Sequence, residues 1–149
     1  MKLVSIITPC FNSALYIEET IKSIINQTYN NWELILIDDN SSDNTLEIIN
    51  SFDDNRIKCF NNKENMGPAY SRNLALSKSK GRFISFCDSD DIWNKNKLEI
   101  QLKFMVNNEV PISYTSYSLI DSKGRDLNKI IKSKKKIDYY DYLKSTIIG

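Results

Sequence analysis

Histidine is missing altogether from this 149-residue chain. Its absence excludes Ser-His-Asp and Cys-His catalysis and any His-ligated zinc. The three cysteines, Cys10, Cys59 and Cys87, show no CxxC spacing. They lie in or beside apolar, strand-like runs, where free cysteine serves as a small buried hydrophobe, so they are expected to be reduced in a cytoplasmic protein. No apolar run reaches the roughly 18 to 20 residues of a membrane span, and Met1-Lys2 leads into a short strand rather than a signal peptide. Excess charge is missing too. Twenty basic against nineteen acidic residues leave a net charge of +1, which argues against a nucleic-acid partner held through overall charge. Neither a GxGxxG dinucleotide fingerprint nor a Gly-Lys-Ser/Thr phosphate loop occurs. The chemistry left to the chain is that of carboxylates and a hard metal ion.

The most informative segment is Asp88-Ser89-Asp90-Asp91. It follows Phe83 to Cys87, which reads as a buried strand, so the acidic side chains emerge at that strand's carboxyl end. Open parallel α/β sheets bind their ligands at this edge. Carboxylates so closely spaced repel one another unless a cation sits between them, and an oxygen-only ligand set suits Mg²⁺ or Mn²⁺. The natural partner of such a metal is a diphosphate. The competing reading is an acidic turn that caps the next helix.

The order of elements reads as βαβαβαβα. Leu3 to Thr8 is a strand ended by Pro9, and Ile17, Ile21, Ile24 and Ile25 repeat at helical spacing. Trp32 to Ile37 is a second strand, followed by a turn-rich cluster from Asp38 to Asp43 and a helix marked by Leu46, Ile49 and Phe52. Ile57 to Phe60 is the third strand; Pro68 opens a helix towards Lys78, and Gly81 punctuates its end. After the fourth strand, Leu98, Leu102, Met105 and Val106 mark another helix, and Ile112 to Ile120 reads as a strand closed by the turn Asp121-Ser122-Lys123-Gly124. Such alternation predicts a single α/β domain over 1–149, with a mainly parallel sheet flanked by helices on both faces. Lys129 to Lys136 carries five lysines and reads as a solvated loop before a short helix capped by Asp138; the alternative is contact with anionic lipid. The apolar ending Ile147-Ile148-Gly149 reads as a truncated sequence.

If the sheet is parallel, Thr8-Pro9-Cys10-Phe11-Asn12, Asp38-Asp39, Asn65-Met66-Gly67 and Asp88-Ser89-Asp90 open at one edge. Together with Gln27-Thr28-Tyr29, Trp32-Glu33-Leu34-Ile35-Leu36-Ile37, Asn40-Ser41-Ser42-Asp43, Ser71-Arg72-Asn73, Gly81-Arg82-Phe83-Ile84 and Asp91-Ile92-Trp93, these segments resemble the family-2 glycosyltransferases. The resemblance covers nearly the whole chain. It implies the GT-A fold, a Rossmann-like α/β arrangement, in its N-terminal, donor-binding portion.

The same resemblance implies site roles. Nucleotide contacts fall on Thr8, Pro9, Phe11, Asn12, Asp39, Arg72, Asp88 and Ser89, and the metal on Asp90 with Asp88. Phe11 stands where a tyrosine is common; it offers a face for base stacking, unless it is a core aromatic. Asp39 matches the residue that accepts a base N–H, whereas Asp38 suits ordering of the loop. Arg72 neutralises phosphate or holds a strand-end carboxylate, against the alternative of an ordinary surface arginine. Asp88 meets the ribose or a metal-bound water, and Asp91 is secondary.

The implied reaction is metal-assisted, inverting transfer of a sugar from a nucleotide-diphosphate donor, uridine favoured, to a saccharide or lipid-linked acceptor. Its setting is bacterial surface polysaccharide synthesis in the cytoplasm or at the inner face of the membrane. No residue matches the family's general base, which is expected beyond Gly149; Asp121, Asp126, Asp138 and Asp141 are left unassigned. Homodimer formation stays open. Two rival readings remain, a nucleotidyltransferase and a non-catalytic nucleotide-binding module. Pro9-Cys10-Phe11-Asn12 speaks against the first, which would carry a glycine-rich basic loop after strand one.

Overall fold

The structure, a computed structural model, describes residues 2–133. The elements run β1 (Val4–Cys10), α1 (Ile17–Ile25), β2 (Trp32–Asp38), α2 (Thr45–Asn50), β3 (Ile57–Asn61), α3 (Pro68–Lys78), β4 (Phe83–Phe86), α4 (Lys97–Asn107), β5 (Tyr117–Ile120) and β6 (Asp126–Ile131). Two compact units meet in sequence at Ile100 and Gln101.

The first unit holds a four-stranded sheet of order β3-β2-β1-β4. All three pairings are parallel, with Val4 opposite Trp32 and Phe83, and Leu34 opposite Ile57. The alternation set by the pleat sends Ile7, Ile35 and Ile37 to one face, where they are fully buried with Ala75 of α3 and packed by Leu74 and Phe60. Ile6, Leu34 and Leu36 point to the other face and are equally buried. Both faces of the central strands are therefore covered, as near-continuous apolar strands require. On α1 the spacing of Ile17, Ile21 and Ile24 yields a fully buried stripe. At the β4 edge the cover thins: Ile84 and Phe86 are 39% and 53% exposed.

β1 and β5 differ most from their expected ends. β1 continues through Pro9 to Cys10. Proline is tolerated there because β4 pairs with β1 only as far as Ile7, which leaves the far end of β1 an edge on that side. In the second unit the expected strand from Ile112 is confined to Tyr117–Ile120, and residues 111–116 form no strand. It pairs antiparallel with β6, whose last residues fall in the segment expected as a solvated lysine loop; Lys129, Ile130 and Ile131 are strand instead. The turn between them is where the sequence placed it, with Gly124 at φ 73° and the Asp121 amide donating to the Arg125 carbonyl. Lys134 to Lys136, the Asp138 cap and Asp141 lie outside the described residues.

A polar network fastens the amino-terminal edge of the sheet. Glu33, 5% exposed, accepts from Ser5 Oγ at 2.7 Å, Lys58 Nζ at 2.8 Å and the Lys80 amide at 2.7 Å, and Ser5 Oγ in turn accepts from the Gly81 amide at 2.8 Å. Burial pushes the Glu33 carboxyl up, but the bonds from Lys58, Ser5 and Lys80 outweigh it and leave the group below its ordinary value. A lowered folded pKa means that this stabilisation is complete above the unfolded value of about 4.3 and is lost as pH falls through the folded one. Glu33→Gln is expected to cost about 1 kcal/mol at neutral pH and to flatten the acid limb of a melting-temperature profile. An acid limb identical to wild type would mean that other carboxylates govern it.

Candidate functional site

A parallel sheet brings the carboxyl ends of its strands to one edge, and there the loops after β1, β2, β3 and β4 carry most of the polar residues singled out above. The first two are stitched together. Asn12, at φ 49°, donates its amide to Ser41 Oγ at 3.0 Å and accepts the Ser42 amide on its side chain at 2.9 Å. The Ser13 amide donates to Thr45 Oγ1 at 2.7 Å and the Ala14 amide to Asp43 at 3.0 Å. Asp38 is buried and accepts from the Ser41 amide and hydroxyl, a closed turn that orders the loop after β2.

Asp39 is the hub of the β2–β3 side. It is 3% exposed, yet its carboxylate accepts three hydrogen bonds: Oδ1 accepts from Asn62 Nδ2 at 2.6 Å and the Met66 amide at 2.9 Å, and Oδ2 from the Gly67 amide at 2.7 Å. Burial raises its pKa, and the bonds from Asn62, Met66, Gly67 and Ser71 more than offset that, so the group titrates below the usual aspartate range. The carboxylate sits against the amides at the start of α3, where the helix dipole favours a negative charge. Oδ1 carries two of these bonds and Oδ2 one, so Oδ2 keeps acceptor capacity. Gly67, at φ 85°, takes a backbone conformation that other residues rarely adopt.

The β4 side holds the acidic loop. Arg72 of α3 reaches over to Asp88, Nη2 to Oδ1 at 2.6 Å, with both side chains partly exposed. Arg72 thus does hold a strand-end carboxylate. The Ser89 hydroxyl lies 2.8 Å from that of Ser13, joining the β1 and β4 loops. Asp90 is exposed. Burial, and then the charges of Asp88 and Asp90, raise the Asp91 carboxyl above its ordinary value. Negative potential is therefore concentrated on this loop. Among the described residues no group of three or more His, Cys, Asp or Glu side chains converges to hold an ion. A pair of loop carboxylates fits a hard divalent cation whose remaining ligands are substrate phosphate and water, the common arrangement for Mg²⁺.

The remaining nominated residues are placed as follows. Phe11 is 50% exposed, so it is no core aromatic. Pro9 is partly exposed, and Thr8 is fully buried within β1, so its side chain faces protein rather than solvent. Asp121 is consumed by the Lys123 and Arg125 amides and the Arg125 side chain, and Asp126 by the Asn128 amide. Sequence reasoning missed Asn62, whose side-chain amide joins Asp39 to Ser71 Oγ. It also gave Gln27-Thr28-Tyr29 no role. The signal available was polar Thr20, Ser23 and Gln27 at helical spacing beside an isoleucine stripe.

The parallel sheet and its flanking helices are those of a GT-A α/β domain. The sequence profile of glycosyl transferase family 2 matches residues 5–148, and the chain belongs to that family. It is 44% identical over 149 residues to the putative teichuronic acid biosynthesis glycosyltransferase TuaG of Bacillus subtilis, covering 99% of this chain and 59% of that protein. It is 44% identical over 147 residues to WfgD of Escherichia coli, a UDP-Glc:alpha-D-GlcNAc-diphosphoundecaprenol beta-1,3-glucosyltransferase, covering 99% of this chain and 57% of the relative. The crystal structure of residues 1–349 of S. aureus TarS in complex with UDP superposes with a TM-score of 0.68 at 35% identity, over 73% of this chain and 33% of TarS. The chain thus spans somewhat under three fifths of the length of these curated relatives. No described helix is long and apolar enough to cross a membrane.

Proposed function

We propose that residues 1–149 are the donor-binding part of one glycosyltransferase domain that takes a UDP-sugar with a divalent cation. The observation that carries this reading is the Arg72–Asp88 ion pair beside exposed Asp90, at the sheet edge where Phe11 follows β1 and Asp39 follows β2. The relatives support the ligand class: TarS was crystallised with UDP, and WfgD is named for a UDP-glucose donor and a lipid-linked acceptor. In this reading Phe11 stacks on the base, Asp39 Oδ2 accepts a base N–H, and the backbone of Thr8 and Pro9 with Asn12 and Ser89 shapes the nucleotide cleft. Asp90 and Asp88 hold Mn²⁺ or Mg²⁺, which when bound offsets the negative charge that gathers on the departing diphosphate.

The bond that breaks joins the anomeric carbon to the diphosphate oxygen, and the bond that forms joins that carbon to the acceptor hydroxyl oxygen, with inversion. Arg72 neutralises the loop carboxylates and the phosphate they approach. The acceptor proton passes to a carboxylate that belongs, like the acceptor wall, to the portion of the relatives this chain does not span. The setting is synthesis of surface polysaccharide on a saccharide or lipid-linked acceptor at the cytoplasmic face of the membrane.

Thermal shift with a panel of nucleoside diphosphates tests class and metal together. A ligand at one hundred times its dissociation constant stabilises the native state by about 2.7 kcal/mol. UDP is expected to raise the melting temperature more with Mn²⁺ than with a chelator, and Asp90→Asn to abolish that difference while leaving the ligand-free melting temperature unchanged. Equal shifts with and without metal in wild type would remove the metal bridge; an Asp90→Asn protein that fails to fold would make Asp90 structural.

A further inference from the structure

One polar row, Thr20 and Ser23 of α1 continued by Gln27 just past its end, faces the acidic loop's continuation rather than water. Thr20, Ser23 and Gln27 are 0%, 9% and 3% exposed, and a buried polar side chain must find partners. They find them along one stretch of backbone. Thr20 Oγ1 donates to the Ser89 carbonyl at 3.0 Å. Ser23 Oγ accepts the Trp93 amide at 3.1 Å while donating to the Thr20 carbonyl at 2.8 Å. Gln27 uses both ends of its amide: Nε2 donates to the Asn94 carbonyl at 2.9 Å and Oε1 accepts the Leu98 amide at 3.1 Å. Thr28 completes the series, its amide donating to the Lys95 carbonyl at 2.8 Å and its hydroxyl to Glu99 at 2.8 Å.

Residues 89–96 contain neither helix nor strand, so their backbone groups have no regular ladder to satisfy them. Upstream, the loop is fixed where the Cys87 amide donates to the Ile7 carbonyl at 3.0 Å, one residue before Asp88. Downstream, the side chains of Thr20, Ser23 and Gln27 supply the second anchor. Arg72 and Ser13 hold Asp88 and Ser89, but without the second anchor the mutually repelling carboxylates beyond them would sample many separations, and a ligand would have to order them on binding.

We propose that Thr20, Ser23 and Gln27 are positioning residues for the metal–diphosphate part of the donor site. They hold Asp88 and Asp90 at a fixed spacing by tying down the backbone from Ser89 to Leu98. This role rests on the donor-site reading above, and it assigns a task to the Gln27-Thr28 motif.

The test is calorimetric titration of UDP into wild type, Gln27→Met and Ser23→Ala, each in Mn²⁺ and in chelator, with hydrogen exchange of the 89–98 amides followed alongside. The quantity read is the ratio of the two affinities. That ratio is expected to fall about tenfold in Gln27→Met and about threefold in Ser23→Ala, the scale of one or two hydrogen bonds. Affinity in chelator should stay within about twofold of wild type, and the 89–98 amides should exchange faster while those of β1 and β2 do not. A merely structural role lowers the melting temperature and leaves the ratio alone, so variants with the wild-type ratio overturn the proposal. A wild-type ratio of one removes the metal bridge of the donor-site reading, and the positioning role with it. If Gln27→Met does not fold, Ser23→Ala, which removes a single hydroxyl, decides the matter.

Discussion

Asp39→Ala is expected to lower affinity for UDP by about tenfold or more, while affinity for pyrophosphate with Mn²⁺ changes less than about twofold. Two routes lead to the same loss. The variant removes the acceptor proposed for a base N–H, and it strips the Met66 and Gly67 amides and the Asn62 side chain of their shared partner. A hydrogen bond to a charged group contributes on the order of 1.5 to 3 kcal/mol. Both losses fall on the side of β1 occupied by β2 and β3, whereas the acidic loop follows β4 on the opposite side. Pyrophosphate has no base, so it reports on the acidic loop alone. Parallel isothermal titrations with the two ligands make the comparison. Equal loss for both would show that Asp39 supports the whole edge, and the division into a base side and a metal side would be abandoned.

Gly81→Ala is expected to destabilise the fold by about 3 kcal/mol, at the upper end of what overpacking costs. A β-carbon at this position would lie 2.5 Å from the Ser5 backbone nitrogen, 2.6 Å from Ser5 Oγ and 2.9 Å from the Phe83 carbonyl oxygen. Two of the three are backbone atoms that cannot swing aside. Ser5 is fully buried and held by Glu33, so the displaced hydroxyl has nowhere to go without releasing Glu33 and the Gly81 amide. Gly81 is not in the left-handed region, so the cost is one of space and not of backbone conformation. A drop of roughly 6 to 12 °C in melting temperature is the corresponding scale for a chain near this size. Urea unfolding should show a lower midpoint at unchanged slope; a midpoint equal to wild type would mean that β4 can shift away from β1 at no cost.

What was legible in the sequence follows the strength of the local signals. α3 runs from Pro68 to Lys78 as read, because Gly67, Pro68 and Gly81 punctuate it from both sides. β2 was recognisable as a strand buried on both faces, since Trp32 to Ile37 has almost no polar interruption. β6 was not legible: Leu127, Ile130 and Ile131 all face solvent, so no buried face imposed an alternation on the lysine-bearing segment. At the site, the carboxylates stood out by type and spacing. That Arg72 holds a strand-end carboxylate was one of three readings of that residue, and Asp88 proves to be its partner. The partners of Asp39 and the α1 ladder were not, because hydrogen bonds between residues 62 and 39 or 27 and 98 leave no periodic trace in a single sequence.

The placement of β1 between β2 and β4 has a consequence for how the chain acquires its site. Joining Val4 to Trp32 closes a modest loop, whereas joining Val4 to Phe83 closes one roughly three times as long, at about 1 kcal/mol more closure entropy. Contacts so distant in sequence form late, once nearer ones have already reduced the search. On that ground Phe11 and Asp39 are expected in the part that a folding chain assembles early, and Asp88 and Asp90 arrive with the strand pairing most distant in sequence within the sheet. In the proposed complex a metal-bound donor would touch both parts, so its binding energy would be coupled to that last pairing, which alone delivers Asp88 and Asp90 to the edge.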